Sequence, residues 1–202
     1  VSCDCSQIYA VIDRADVNDV DSAHHSIEHV AHAVVSAAGF LFGCSYSTEI
    51  AQVINDSDQT CFYGVQDLDV AFKESNEQLT QKFNELTELV RKDIYLRFAI
   101  SDYTTAITDH VGGPMLCYRA LESLAKSLGN TGIDDTDWRP MHKALGTTKD
   151  TIVNMVGQYA APVRHGNWIE VGSDRDQRRA MLLFTRDVLA KYIEYSRNMA
   201  ES

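Results

Sequence analysis

A chain of 202 residues with 45% hydrophobic and 23% charged residues has the composition of one compact domain, or of a large domain with a small appendage, which excludes a disordered tail. Eleven glycines and three prolines are too few for a loop-rich sandwich or a collagen-like repeat. The formal net charge of −11 sets the surface as a whole against a phosphate backbone, and no apolar run approaches the roughly 18 to 20 residues that would cross a bilayer.

In chain order, residues 7–12 form a short β-prone stretch and residues 13–21 carry the acids and breakers of a loop. Over residues 22–38 the apolar Ile27, Val30, Ala31, Val34 and Ala38 recur at helical spacing, and Gly39 is placed as a stop. Residues 46–54 and 60–65 are β-branched and aromatic runs flanking the turn-forming Asn55-Asp56-Ser57-Asp58, so a hairpin is expected. With the first strand joined to it, the N-terminal part becomes a small β-α-β-β unit.

After Gln66 helical periods take over. Ser75 and Gln78 make a capping box ahead of Leu79, Phe83, Leu86 and Val90 on one face. A further helix over residues 93–110 carries Ile94, Phe98, Ile100 and Ile107 and closes at Gly112-Gly113-Pro114, where the proline opens the next helix, 115–128, ended by Gly129. Short helices follow near 137–145 and 148–160. Residues 173–199 carry Met181, Phe184, Val188, Tyr192, Tyr195 and Met199 as one seam of a long last helix. The expected fold is mainly α: an antiparallel helical bundle over residues 67–202 with a small α+β appendage over residues 1–66.

The charge is uneven. Residues 1–138 hold 8 Lys/Arg and 22 Asp/Glu, and residues 139–202 hold 10 and 7, so an anion site belongs in the last third. Five cysteines, Cys3, Cys5, Cys44, Cys61 and Cys117, form an odd set without repeated CxxC spacing, which reads as reduced thiols in a cytoplasmic protein. No basic region precedes an apolar stretch at the start, so neither a secretory signal nor a membrane partner is expected. Cys3-Asp4-Cys5, Asp134-Asp135-Thr136-Asp137 and Gly112-Gly113 read as a chain end, a helix cap and a turn, and no cofactor is expected.

Arg164-His165-Gly166 is the tripeptide of histidine phosphatases, but it follows a helical pattern instead of a strand and His165 is the last histidine, so that chemistry is set aside. The run Tyr118-Arg119-Ala120-Leu121-Glu122-Ser123-Leu124, then Trp138, Met141 and His142, then Arg164-His165-Gly166 before a long final helix, resembles the HEPN-like helical bundles over roughly residues 94–200. The resemblance implies a bundle that acts as a homodimer in prokaryotic defence, toxin or RNA-processing systems, with a protein partner or RNA. It implies an interaction or regulatory module. The family's ribonucleases carry an arginine, a polar residue and a histidine four to six residues past the arginine. Arg164 and His165 match the first two positions, while residues 169–171 hold no histidine, so the motif is incomplete. The enzyme alternative is a metal-independent ribonuclease using Arg164 and His165, aided by Arg119, Tyr118 or Glu122.

Read from the residues, Arg164 either caps a helix end or pairs with Glu122, or with His165 it binds phosphate and moves a proton. Arg175, Arg178 and Arg179, with Arg186, either extend that anion site or form a solvated face paired with Asp174, Asp176 and Asp187. On the first helix His25, Glu28, His29 and His32 share one stripe opposite Ile27, Val30, Ala31 and Val34. That spacing suits a transition metal, an exposed histidine-rich surface, or a pH-sensing interface.

Overall fold

The computed structural model describes residues 2–4, 7–9, 20–44, 48–54, 60–62, 74–109, 111–129, 136–167 and 175–200. They belong to two compact units, Val1–Val65 and Gln66–Ser202. Most are helical, and among the described residues no helix is long and apolar enough to cross a membrane.

The first unit holds β1 (Ser2–Asp4), β2 (Gln7–Tyr9), α1 (Val20–Phe42), β3 (Gln52–Ile54) and β4 (Thr60–Phe62). β3 and β4 pair antiparallel with Val53 opposite Cys61. Contrary to expectation, Gln7–Tyr9 pairs with Ser2–Asp4 in a ladder of its own and does not join that hairpin. A neighbour two residues away costs far less loop entropy than a strand beyond α1. Gly39 does not end α1 either. The helix runs on to Phe42, Gly43 takes the left-handed conformation (φ 65°), and Cys44 N–H donates back to the Gly39 carbonyl at 2.9 Å. A glycine inside a helix costs only about 1 kcal/mol, so it stops nothing unless the left-handed turn falls on it.

The second unit holds α2 (Asn76–Lys92), α3 (Ile94–Thr108), α4 (Gly113–Gly129), α5 (Arg139–Leu145), α6 (Lys149–Ile152), a wide π-helical turn (Val153–Gly157), α7 (Gln158–Arg164) and α8 (Arg175–Ala200). Ser75 and Gln78 close a reciprocal capping box: Gln78 N–H donates to Ser75 Oγ at 3.3 Å and Ser75 N–H to Gln78 Oε1 at 3.0 Å. Asp93 ends α2 and caps α3, its carboxylate accepting from the N–H groups of Tyr95 and Leu96 at 2.9 and 3.1 Å.

α4 is the central rod, packed against α3, α5, α7, α8 and the π turn. Its buried Cys117, Ala120 and Ala125 are small enough to let those neighbours close in, and Leu116, Leu121 and Leu124 fill the space between. Leu96, Ala99, Met141, Val156, Met181, Leu182 and Val188 complete the core. At the start of α4 a Cβ on Gly113 would lie 3.2 Å from the Ala106 carbonyl, so that glycine lets α4 fold back closely on α3.

Two expected core faces are used only in part: Leu86 and Val90 of α2 and Ile100 and Ile107 of α3 pack against the core, while Phe83 of α2 and Ile94 and Phe98 of α3 are exposed. α3 buries Leu96, Ala99, Asp102, Tyr103 and Ala106 instead, because Asp102 meets Arg119 of α4 and that ion pair fixes the rotation of the helix. The α8 seam is buried at Met181, Val188 and Tyr192, part-buried at Phe184 and Tyr195, and exposed at Met199, where the helix outruns the bundle.

Candidate functional site

The helix made of α6, the π turn and α7 delivers Arg164. A π turn takes up one residue more than an α turn and so rotates the remainder of the helix by about 100°. Here Val163 goes into the core and Arg164 to the surface. The stop is a Schellman motif with Gly166 in the left-handed region (φ 71°): Asn167 N–H donates to the Pro162 carbonyl at 2.9 Å and Gly166 N–H to the Val163 carbonyl at 3.1 Å. Arg-His-Gly is therefore a helix C-terminus, where the Arg164 guanidinium suits the negative end of the helix dipole.

The Arg164 guanidinium lies over the Tyr118 ring of α4, its carbon 5.0 Å from the ring centroid. It does not pair with Glu122, and among the described residues no carboxylate forms an ion pair with it. Tyr118 in turn meets Trp138 (centroids 5.6 Å apart, tilted 48°), and Trp138 stacks on His142 at 6.3 Å with 26° between planes. His142 Nδ1 is 2.9 Å from Thr147 Oγ1, which fixes the imidazole. Arg164 of α7, Tyr118 of α4, and Trp138 and His142 of α5 and its N-cap thus form one row across three segments. Tyr118, Trp138 and His142 are half-buried, and the π turn supports the row from behind, a Cβ on Gly157 lying 3.7 Å from the Tyr118 ring.

The other expected site residues are engaged elsewhere. Arg119 forms a two-pronged pair with Asp102, Nε to Oδ2 at 2.7 Å and the second amino group to Oδ1, and this carboxylate holds the guanidinium firmly protonated. Glu122 accepts from Thr136 Oγ1 at 3.3 Å. Arg178 donates to the carbonyls of Ala106 and Ile107 and so closes the end of α3. His165 and Arg179 are exposed, and Arg175 begins α8. The sequence thus pointed to Arg164 and Tyr118 as parts of one site but offered Trp138 and His142 only as markers of resemblance. Their i, i+4 spacing is the signal that could have found them.

His25, Glu28, His29 and His32 all lie on α1. His32 is exposed, and the side chains of the other three lie outside the described residues. Among the described residues no three His, Cys, Asp or Glu side chains gather as a metal set.

Two further groups are set by burial. It pushes the Cys117 thiol up to about 11, against the opposing pull of the Thr185 hydrogen bond. It also pushes the Tyr192 phenol up to about 12, helped by the Asp93 carboxylate to which the phenol donates. The Tyr192 hydroxyl lies 2.6 Å from Ser127 Oγ, so α8 is tied at one point to α4 and to the α2–α3 corner.

The family described as "Domain of unknown function (DUF8168) C-terminal domain" matches residues 81–197. The chain belongs to this family. The matched stretch lies inside the second unit and includes the whole row from Tyr118 to Arg164. No curated protein and no solved structure matches the chain.

Proposed function

We propose that the chain is a HEPN-like interaction module of a prokaryotic defence or stress system, with the first unit as a small α+β appendage. It works in the cytoplasm as a pair of copies and binds RNA without cutting it. The observation that carries this reading is the Arg164 guanidinium held over Tyr118 in line with Trp138 and His142. A single-stranded RNA segment is bound in general by stacking its bases on aromatic and guanidinium planes while a cation meets the phosphate.

Binding without hydrolysis is supported by what the acid–base candidates do. Cleavage through a 2′-hydroxyl needs a base and an acid within hydrogen-bond reach of one another's substrate atoms. Arg119 is held by Asp102, Glu122 by Thr136 and Arg178 by α3, which leaves Arg164 and His165 on an exposed corner. With a net charge of −11 the affinity rests on this local site, and with a single guanidinium in the row its dependence on salt is shallow.

The test is fluorescence anisotropy with a labelled single-stranded RNA in EDTA, with the same RNA run on a gel afterwards. The expected result is saturable binding, intact RNA, and affinity about tenfold weaker in Arg164→Ala. Cleavage that survives EDTA and disappears in His165→Ala would replace this reading with the ribonuclease one.

A further inference from the structure

Between α2 and the end of α8 lies a cleft of about 290 Å³, lined by Glu74, Gln78, Gln81, Lys82, Glu85 and Arg197. It shares no residue with the row of Tyr118, Trp138, His142 and Arg164, and its size is at the low end for a small-molecule site. Arg197, in the last turn of α8, reaches across to Glu85 of α2 at 3.0 Å and ties the two walls together. Lys82 meets Glu74 at 2.6 Å. Two carboxylates therefore stand against two cations, and the lining carries no net charge.

Part of this polar lining is already satisfied. Glu74 Oε1 accepts from Lys82, Glu85 Oε1 from Gln81 Nε2 at 2.9 Å, Glu85 Oε2 from Arg197, and Gln78 Oε1 from the Ser75 N–H. What is left over sorts into two kinds. The acceptors are Glu74 Oε2, which is buried with no hydrogen-bond partner, and the amide oxygen of Gln81. The donors are the Gln78 amide nitrogen and the Arg197 nitrogens that Glu85 does not use, and none of these is paired among the described residues. A buried carboxylate oxygen without a donor is costly, so Glu74 Oε2 calls for one from outside the chain. The carboxyl group turns about its last torsion, whose minima are broad, and so can present that oxygen to the cleft.

We infer that the cleft binds a free α-amino acid with an uncharged side chain, as its zwitterion. The ammonium donates to Glu74 Oε2 and Gln81 Oε1, and the carboxylate accepts from Arg197 and Gln78 Nε2. The charge balance decides the class of ligand. A bare metal cation has to sit beside Lys82 and Arg197, and a phosphate beside Glu74 and Glu85, whereas a zwitterion leaves the lining neutral and gives each leftover group its opposite. The inference stands apart from RNA binding, and its test does not involve RNA.

The test is isothermal titration calorimetry of the full chain with each uncharged protein amino acid in turn. The expected result is saturable one-to-one binding of at least one of them, with a dissociation constant at or below about 1 mM. The methyl ester of that amino acid keeps only the ammonium, and its N-acetyl form keeps only the carboxylate. Each should bind at least about tenfold more weakly, and so should the wild-type ligand to Glu74→Gln and to Arg197→Met. Both substituted residues lie outside the core, and the two derivatives put the same question to the unaltered chain. The inference is overturned by the absence of saturable heat from every amino acid, by a derivative that binds as well as its parent, or by binding unchanged in either variant.

Discussion

Arg119 and Arg164 both reach α4 or leave from it, and their surroundings separate their roles. Arg119 neutralises the buried Asp102, so Arg119→Met leaves a carboxylate without its partner. It should cost about 2 kcal/mol in urea unfolding, with RNA binding of the surviving folded protein unchanged. Arg164 rests on a ring at the surface, and Arg164→Ala should cost less than about 1 kcal/mol while weakening binding. Cys117 and Tyr192 respond to alkali. Each holds its proton more tightly in the folded chain than in the unfolded one. Their contributions are therefore complete below the unfolded values and are lost as pH rises through the folded ones, to about 11 for the thiol and about 12 for the phenol. Urea unfolding at a series of pH values should show stability falling across that alkaline window, and Tyr192→Phe should remove the part near the upper end.

Among the elements, helix ends were readable wherever their chemistry is local. Ser75 and Gln78 sit three residues apart, and the box they form depends on nothing else, so Ser75→Ala should lower unfolding stability by about 1 kcal/mol. Gly166→Ala isolates a backbone effect. A Cβ there meets nothing within 4 Å, so the expected loss of about 1 kcal/mol comes from the positive φ alone, and the shift of Arg164 should weaken RNA binding as well. The rotation of α3 was not legible in the sequence. Of the expected core residues Ile94, Phe98, Ile100 and Ile107, only Ile100 and Ile107 pack against the core. The side that is buried contains an aspartate, whose partner Arg119 lies seventeen positions further on. The row of Tyr118, Trp138, His142 and Arg164 escaped for the same reason, since its members come from three segments and only Trp138 and His142 are near in sequence. The end of α1 was misplaced because two glycines, Gly39 and Gly43, offered a stop and only the backbone selects between them.

For the molecule as a whole, the sign of the charge and the position of the site pull in opposite directions. A chain of net charge −11 gains nothing from general electrostatic attraction to RNA, so the proposed binding has to come from one place, and the structure offers a guanidinium stacked in a row with two aromatic rings and an imidazole. The chain has two tryptophans, Trp138 in that row and Trp168, so a Trp168→Phe chain reports on the row alone. The most direct measurement is the fluorescence of Trp138 in that chain as single-stranded RNA is added. A saturable change in intensity, abolished by Arg164→Ala, is the expected result. Emission that stays constant while RNA binds, or that changes equally with and without Arg164, would contradict it.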